Sequence, residues 1–305
     1  MSFRNLLPHA QETVSDWLAD DAPTLSAALA YYTVFSLAPL LLICMAIAGF
    51  FLGEEAARGQ IYTHLNSLIG TEGARAMQDV VQSAGERPQA GWMATLVGGA
   101  ALLIGASGVF GQLQASLNRI WKVEVAAGHT MKRLIVNRFL SFGFTLAMGF
   151  LLLVSLLIST AVAFIVNWVG GLSPELVVLA KMADFVLSLG IITVLFTLIF
   201  SVVPDIRISW RSVLGGAFLT ALLFTVGKYG LSLYLGTSGV GSTFGAAGSV
   251  VVLLLWVYFS SLILFLGAEW THVRARRLGT PVKPAKGFLF TDAMESSPPS
   301  PSSVS

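Results

Sequence analysis

Long apolar runs separated by short polar connections dominate the pattern of this chain. A helix needs roughly 20 apolar residues to cross a hydrocarbon core of about 30 Å. Six runs are long enough, and they cover residues 24–52, 92–118, 139–168, 176–203, 211–235 and 246–270. They are continuously apolar rather than alternating, which favours helices over the strands of a barrel. The pattern predicts an all-α fold, a polytopic membrane bundle of six transmembrane helices.

The remaining segments divide the chain further. Residues 1–23 are expected to form an amphipathic interfacial segment, because apolar residues recur there at helical spacing. These residues are Leu7, Ala10, Val14, Trp17 and Leu18. Residues 24–275 are expected to be the membrane domain, and its longest connection, at about 53–91, predicts short helices on the outer side. The tail at 276–305 ends in a stretch rich in Ser and Pro and is predicted to be disordered.

The composition agrees with a membrane protein. Of the 305 residues, 55% are hydrophobic and only 11% are charged, whereas soluble domains carry about 25% charged residues. The single cysteine, Cys44, excludes a disulfide within the chain and a cysteine-based metal cluster. The four histidines are far apart in the sequence, so no metal and no other cofactor is expected.

The basic residues predict the orientation of the bundle. If six helices alternate, thirteen of the 18 Lys and Arg residues lie on the side of the two termini, and only three lie in connections on the opposite side. The thirteen are Arg4, Arg119, Lys122, Lys132, Arg133, Arg138, Arg207, Arg211, Arg274, Arg276, Arg277, Lys283 and Lys286. Because cytoplasmic connections carry the excess of Lys and Arg, both termini are predicted to be cytoplasmic.

One lysine, Lys228, lies within the apolar fifth run. An unpaired charge at the centre of a membrane helix costs roughly 2.5–3.5 kcal/mol on insertion scales. Asp184 in the fourth run and Lys228 are equally far along the chain from the intervening turn near Ile206, so two antiparallel helices would bring them to a similar depth. Lys181, one turn from Asp184, could share the same carboxylate. Two interpretations stay open: an ion pair that only locks two helices, and a polar site in a cavity open to the outside.

Two further features belong to the first and last runs. Glu269, at the cytoplasmic end of the sixth run, forms a candidate inner-side polar cluster with Tyr31 and Tyr32 of the first run. The alternative for Glu269 is an interfacial carboxylate near water. Pro39 removes a backbone hydrogen bond within the first predicted helix and is therefore expected to kink it.

Four stretches resemble a known family: "LSAALAYYTVFSLAPLL", "GVFGQLQASLNRIW", "VVPDIRISWRSVLGGAFLTALLFTVGKYGLSLYL" and "GAAGSVVVLLLWVYFSSLILFLGAEW". Over roughly residues 24 to 272 the chain resembles the YihY / virulence factor BrkB family of bacterial inner-membrane proteins. The resemblance implies six spanning helices and localisation in the bacterial cytoplasmic membrane. It implies no substrate and no set of functional residues, although Lys228 falls on a recurrent lysine of the family pattern and Phe244 stands where many relatives have tyrosine.

These features favour a transporter or export component for an unidentified small molecule or lipid. The alternative is a non-transporting membrane scaffold in envelope maintenance, which needs only helix packing and interfacial helices. Family members were once labelled ribonuclease BN, but a metal-dependent hydrolase needs clustered His and Asp ligands, which this sequence lacks. We therefore expect no enzymatic activity and no nucleic-acid partner. The expected partners are the lipid bilayer and the unidentified substrate, and the oligomeric state stays open.

Overall fold

The computed structural model describes residues 6–36, 71, 73–76, 78–79, 108–125, 174–239, 244, 247–285 and 288–291. Most of these residues are helical. The helices that position the site are α1 (Leu6–Ala19), α2 (22–36), α3 (108–120), α4 (Pro174–Val202), α5 (Trp210–Ser238) and α6 (Gly248–Arg277). The strands are β1 (Val123–Val125), β2 (Ile206–Arg207), β3 (Lys283–Pro284) and β4 (Phe288–Phe290).

Among the described residues, three helical stretches are long and apolar enough to cross a membrane. They are Phe185–Val202 within α4, Trp210–Ser238 and Gly248–Arg277. At 1.5 Å per residue, the 30 residues of α6 extend about 45 Å. The fourth, fifth and sixth predicted runs are thus confirmed as apolar helices. α2 and α3 are helical parts of the first and second runs, the third run lies outside the described residues, and the count of six spans stays a prediction.

The chain divides into two compact units. The first consists of Met1–Trp17, Leu117–Leu222 and Leu266–Ser305, and the second consists of Leu18–Ser116 and Leu223–Phe265. The first unit therefore holds most of α1, all of α4, the beginning of α5, the end of α6 and the strands. The second unit holds α2, most of α3, the end of α5 and the beginning of α6.

Glycine and threonine bring α5 and α6 close together in the first unit. Thr220 of α5 donates to the carbonyl of Gly216 at 2.7 Å, and Thr271 of α6 donates to the carbonyl of Gly267 at 2.7 Å. Each threonine also packs on the glycine of the other helix, so that a Cβ on Gly216 would collide with Thr271 and a Cβ on Gly267 would collide with Thr220. Small residues of this kind let two membrane helices approach closely. The order of the contacts shows that the two helices run antiparallel.

Two short ladders tie the chain after α6 to the connections between helices. β4 pairs antiparallel with β1, and β3 pairs antiparallel with β2. Asn118, near the end of α3, donates from Nδ2 to Asp205 Oδ2 at 2.9 Å and accepts from the Asp205 amide at 2.8 Å. The predicted disordered tail at 276–305 therefore needs correction: it contains the end of α6, β3 and β4, because these strands find backbone partners far away in the sequence. Residues 292–305 lie outside the described residues.

α1 docks through its polar face. Glu12 forms ion pairs with Arg276 and Arg277 at the end of α6, and the Arg277 Nε donates to Glu12 Oε2 at 2.6 Å. Asp16 accepts from Arg276 at 2.9 Å. Partial burial acts to raise the pKa of Glu12, but the hydrogen bonds from the two arginines outweigh it and lower the pKa below its ordinary 4.5.

The apolar face of α1 points away from this contact. Leu7, Val14 and Leu18 are exposed, and Leu7 is the most exposed of the three, at 71%. On a helix, these positions lie opposite the docked residues Glu12 and Asp16. The amphipathic helix predicted within 1–23 is thus present, and its apolar face is exposed. Its contact with a membrane surface stays a prediction.

The second unit has its own apolar core. Its buried members come from α2, α5, α6 and the residues near 74, and they are Ala30, Ala74, Ala76, Leu235, Val252, Leu253 and Val257. Phe224 and Trp256 add an edge-to-face ring contact at 6.0 Å. Gly108 lies against the ring of Tyr32, with a Cβ position 2.8 Å from the Cδ1 atom. Of the predicted outer connection at 53–91, residues 71, 73–76 and 78–79 are described, and they are helical.

Candidate functional site

The end of α6 in the first unit carries two buried ionisable side chains. Glu269 is 0% exposed and His272 is 2% exposed. One helical turn separates them, so they share a face of α6, and Glu269 Oε2 lies 3.8 Å from His272 Nδ1. Burial of an ionised group is costly unless it is paired and hydrogen-bonded. Such a pair within a helix that could span a membrane is therefore the candidate site.

The indole ring of Trp121 contacts one side of His272. The Trp121 ring lies 5.2 Å from the His272 ring between centroids, at an interplanar angle of 53°, and Trp121 is fully buried. Trp121 follows directly after α3, where its amide donates to Leu117 at 2.9 Å. Lys122 then adopts a positive φ of 52°, which ends the helix and starts β1. The end of α3 thus places this indole against the candidate site.

Most other buried polar groups of the first unit already bond within their own helices. Thr193, Thr197, Thr220 and Thr271 each donate to the carbonyl four residues earlier, at 2.7 Å in every case. A hydroxyl has one proton to donate, and in each of these threonines that proton is already donated to a backbone carbonyl. Glu269 and His272 differ because each can hold or release a proton. Within the described part of the chain, no group of three His, Cys, Asp or Glu is arranged to hold a metal.

A second buried histidine lies beside this region. His9 of α1 is fully buried, its ring centroid lies 4.0 Å from that of Trp270, and its Nε2 donates to the Trp270 carbonyl at 3.4 Å. Burial lowers the pKa of His9 below its ordinary 6.5, and the hydrogen bond to Trp270 opposes this effect only in part. Burial thus favours the neutral form of the His9 imidazole.

The predicted Lys228 site is described only in part. Lys228 lies in α5, half-buried, with its Nζ 5.1 Å from the centroid of the Tyr229 ring, a distance at which a cation–π contact forms. Lys181 and Asp184 lie in α4 as expected, but their side chains are outside the described part of the structure. The pairing of Lys228 with Asp184 therefore stays a prediction.

The predicted inner-side cluster is also only partly described. Glu269 lies in the first unit, whereas Tyr31 and Tyr32 lie in the second, where they are 57% and 42% exposed and contact each other at 5.8 Å between ring centroids. The grouping of these three residues stays a prediction. The alternative interpretation of Glu269, a carboxylate near water, does not agree with its complete burial. Pro39 lies outside the described residues.

Sequence reasoning missed His272, Trp121 and His9. The segment "EWTH" carried a usable signal for His272, because an acid and a histidine three residues apart share one face of a helix. No local signal existed for Trp121 or His9. The contact of His9 with Trp270 joins residues 261 positions apart.

Comparison with known proteins identifies a family model and several membrane proteins to which the chain is similar. A family model described as virulence factor BrkB matches residues 13–287. The chain is similar to a UPF0761 membrane protein of Stenotrophomonas maltophilia, with 31% identity over 263 residues, 85% of this chain and 58% of that protein. It is also similar to a UPF0761 membrane protein of Pseudoalteromonas translucida, with 30% identity over 255 residues, 83% of this chain and 81% of that protein. The chain thus spans less than two thirds of the length of the Stenotrophomonas relative. No solved structure matches it.

Proposed function

Because the chain belongs to the virulence factor BrkB family of membrane proteins, we propose that it is a transporter or export component for a small molecule or lipid. The proposal places it in the bacterial cytoplasmic membrane with both termini in the cytoplasm. The basic last turn of α6, with Arg274, Arg276 and Arg277, supports this orientation, because Lys and Arg are enriched at cytoplasmic ends. The proposal contains no catalytic step.

The single observation that carries the proposal is the burial of Glu269 and His272 in α6. Ionisable residues within membrane segments are rare and costly, and they typically mark the pathway of a substrate, an ion or a proton. The Glu269 carboxylate lies 3.8 Å from the His272 imidazole, so two ionisable residues lie together at one point of α6. In a transporter, the carboxylate can accept hydrogen bonds from a polar group of the substrate, while the imidazole can donate or accept one.

The experiment replaces Glu269 by its neutral isostere. Cells that lack the protein are supplied with the wild type, with Glu269→Gln or with the matched control Glu124→Gln, which removes one exposed carboxylate of β1. Untargeted mass spectrometry then compares small molecules and lipids inside and outside the cells. We expect the wild type and the control to produce the same change in at least one compound, and Glu269→Gln to lose this change at equal protein abundance.

One result of this experiment would contradict the proposal. If Glu269→Gln reproduces the wild-type profile at equal abundance, the buried carboxylate has no part in transport. Should Glu269→Gln lower abundance, His272→Gln is the second variant, because it keeps a polar side chain and removes the titratable ring. A compound that changes in cells is then tested with the purified protein in vesicles loaded with that compound.

A second candidate is a membrane scaffold without transport, and the close α5–α6 packing favours it. The reciprocal contacts of Gly216 with Thr271 and of Gly267 with Thr220 bring these segments together with little space between them. A scaffold predicts that no compound changes between cells with and without the protein. It also predicts that Glu269→Gln restores envelope resistance to detergent as well as the wild type does.

A further inference from the structure

The ladder formed by β2 and β3 places two cations opposite each other. Arg207 pairs with Lys283, and Ile206 pairs with Pro284. Ile206 is buried, whereas Arg207 and Lys283 are both exposed. Side chains directly opposite each other in an antiparallel ladder have Cβ atoms about 4.5–5.5 Å apart, and like charges in this position are destabilising. The ladder therefore holds two positive charges together on its exposed face.

The backbone maintains this arrangement. The amide of Ala285 donates to the Asp205 carbonyl at 2.9 Å, next to the ladder. The Asp205 carboxylate accepts from Asn118 at 2.9 Å. Among the described residues, neither Arg207 nor Lys283 forms an ion pair with an acidic side chain. Within the described part of the chain, the two charges thus have no acidic side chain at ion-pair distance.

The ladder lies next to the end of a candidate membrane helix. Trp210, the first residue of α5, follows Arg207 closely and is 58% exposed. The Arg211 guanidinium lies 5.3 Å from the centroid of the Trp210 ring. Exposed tryptophan at the end of an apolar helix is typical of the membrane–water interface, where its ring lies at the level of the lipid headgroups. The two cations are therefore within reach of headgroup phosphates.

We propose that Arg207 and Lys283 bind the phosphate of an anionic phospholipid, with Arg211 adding a third positive charge nearby. A phosphate between the two side chains would convert their repulsion into two attractive contacts. Arginine suits this partner because its guanidinium can donate two parallel hydrogen bonds to phosphate oxygens, while lysine acts as a point charge. Anionic lipids attract basic residues beside membrane segments in this way. The proposal does not depend on transport.

The test compares the stability of the whole purified protein in nanodiscs of two lipid compositions. One contains phosphatidylcholine alone, and the other contains phosphatidylcholine with phosphatidylglycerol. We expect phosphatidylglycerol to raise the thermal unfolding midpoint of the wild type. Arg207→Gln/Lys283→Gln should lose this rise and should unfold in phosphatidylcholine at the same temperature as the wild type or higher, because the repulsion is gone.

Controls separate the ladder from general surface charge. Arg119→Gln, which removes an exposed arginine at the end of α3, should keep the full rise. Arg207→Lys/Lys283→Arg keeps both charges and should keep most of it. Inorganic phosphate added to phosphatidylcholine nanodiscs should give no comparable rise, because it lacks the anchoring of a lipid.

Three results would overturn the proposal. The first is a full phosphatidylglycerol effect in Arg207→Gln/Lys283→Gln. The second is an equal loss of the effect in Arg119→Gln, which would assign it to overall charge. The third is an equal rise with inorganic phosphate alone, which would indicate a site for free anions rather than for lipid.

Discussion

The close approach of α5 and α6 makes Gly216→Ala the most informative single substitution. The new Cβ would lie 3.0 Å from the Thr271 Cβ and 3.3 Å from its Cα, and it would also meet the Thr271 hydroxyl. A hydroxyl can rotate away, but a backbone atom moves only if the helices separate. Overpacking of this kind costs typically 1–3 kcal/mol. We expect a loss of about 2–3 kcal/mol because the obstacle includes backbone.

Gly230→Ala is the matched control in the same helix. Among the residues that the structure describes, no atom lies within 4 Å of a Cβ at Gly230. Alanine there gains up to about 1 kcal/mol of helix propensity relative to glycine. The same chemical change in α5 should therefore destabilise the protein at one position and leave it equally or more stable at the other.

Thermal unfolding in detergent measures both variants, and a double mutant identifies the cause. Thr271→Gly removes the facing side chain, so it should recover part of the loss in Gly216→Ala; contacting residues show coupling energies of about 0.5–3 kcal/mol. Equal stability of Gly216→Ala and Gly230→Ala would refute the reasoning. So would additive effects of Gly216→Ala and Thr271→Gly, because they would show that these two residues do not contact each other.

Two further predictions concern the ends of the chain. Acidification should weaken the docking of α1. Because the pKa of His9 is lowered on folding, its contribution to the stability of the docked helix should fall as pH drops below 6.5. Because the pKa of Glu12 is also lowered, its contribution to the same stability should fall as pH drops below 4.5. The protection factors of the α1 amides, which correct for the pH dependence of intrinsic exchange, should fall over this range, and Glu12→Lys should lower them already at pH 7. Unchanged protection factors would contradict the docking. Removal of residues 281–305 should expose the amides of β1 and β2 to hydrogen exchange, whereas removal of residues 292–305 should not. Equal protection of these amides in both truncated proteins would disprove that the ladders protect them.

The apolar helices were predictable because their signal is local. The fourth and fifth runs were expected at 176–203 and 211–235, and the helices are Pro174–Val202 and Trp210–Ser238. The sixth helix continues to Arg277, beyond the predicted 270. Its last residues are polar, so hydrophobicity could not extend the run. Contacts with α1 and with the end of α3 stabilise this extension, and these contacts come from distant parts of the chain.

Only one residue of the candidate site, Glu269, was predicted from the sequence. Glu269 was predicted to lie with Tyr31 and Tyr32 at the cytoplasmic end of the sixth run, and the structure shows that it is buried beside His272. The indole of Trp121 and the imidazole of His9 could not be assigned to this region, because their sequence neighbours give no indication of their contacts. Lys228 was predicted as a site residue because it is a charge within an apolar run, and its pairing with Asp184 stays a prediction.

The sequence by itself determined that this is a membrane protein with long apolar helices. Each such helix satisfies its own backbone hydrogen bonds, so a run of apolar residues is sufficient to specify it. Only the tertiary structure decided which polar groups meet. The burial of Glu269 with His272, the docking of α1 by its polar face and the opposition of Arg207 to Lys283 depend on residues brought together across the fold. Their positions follow from strand register and helix packing, which no local pattern encodes.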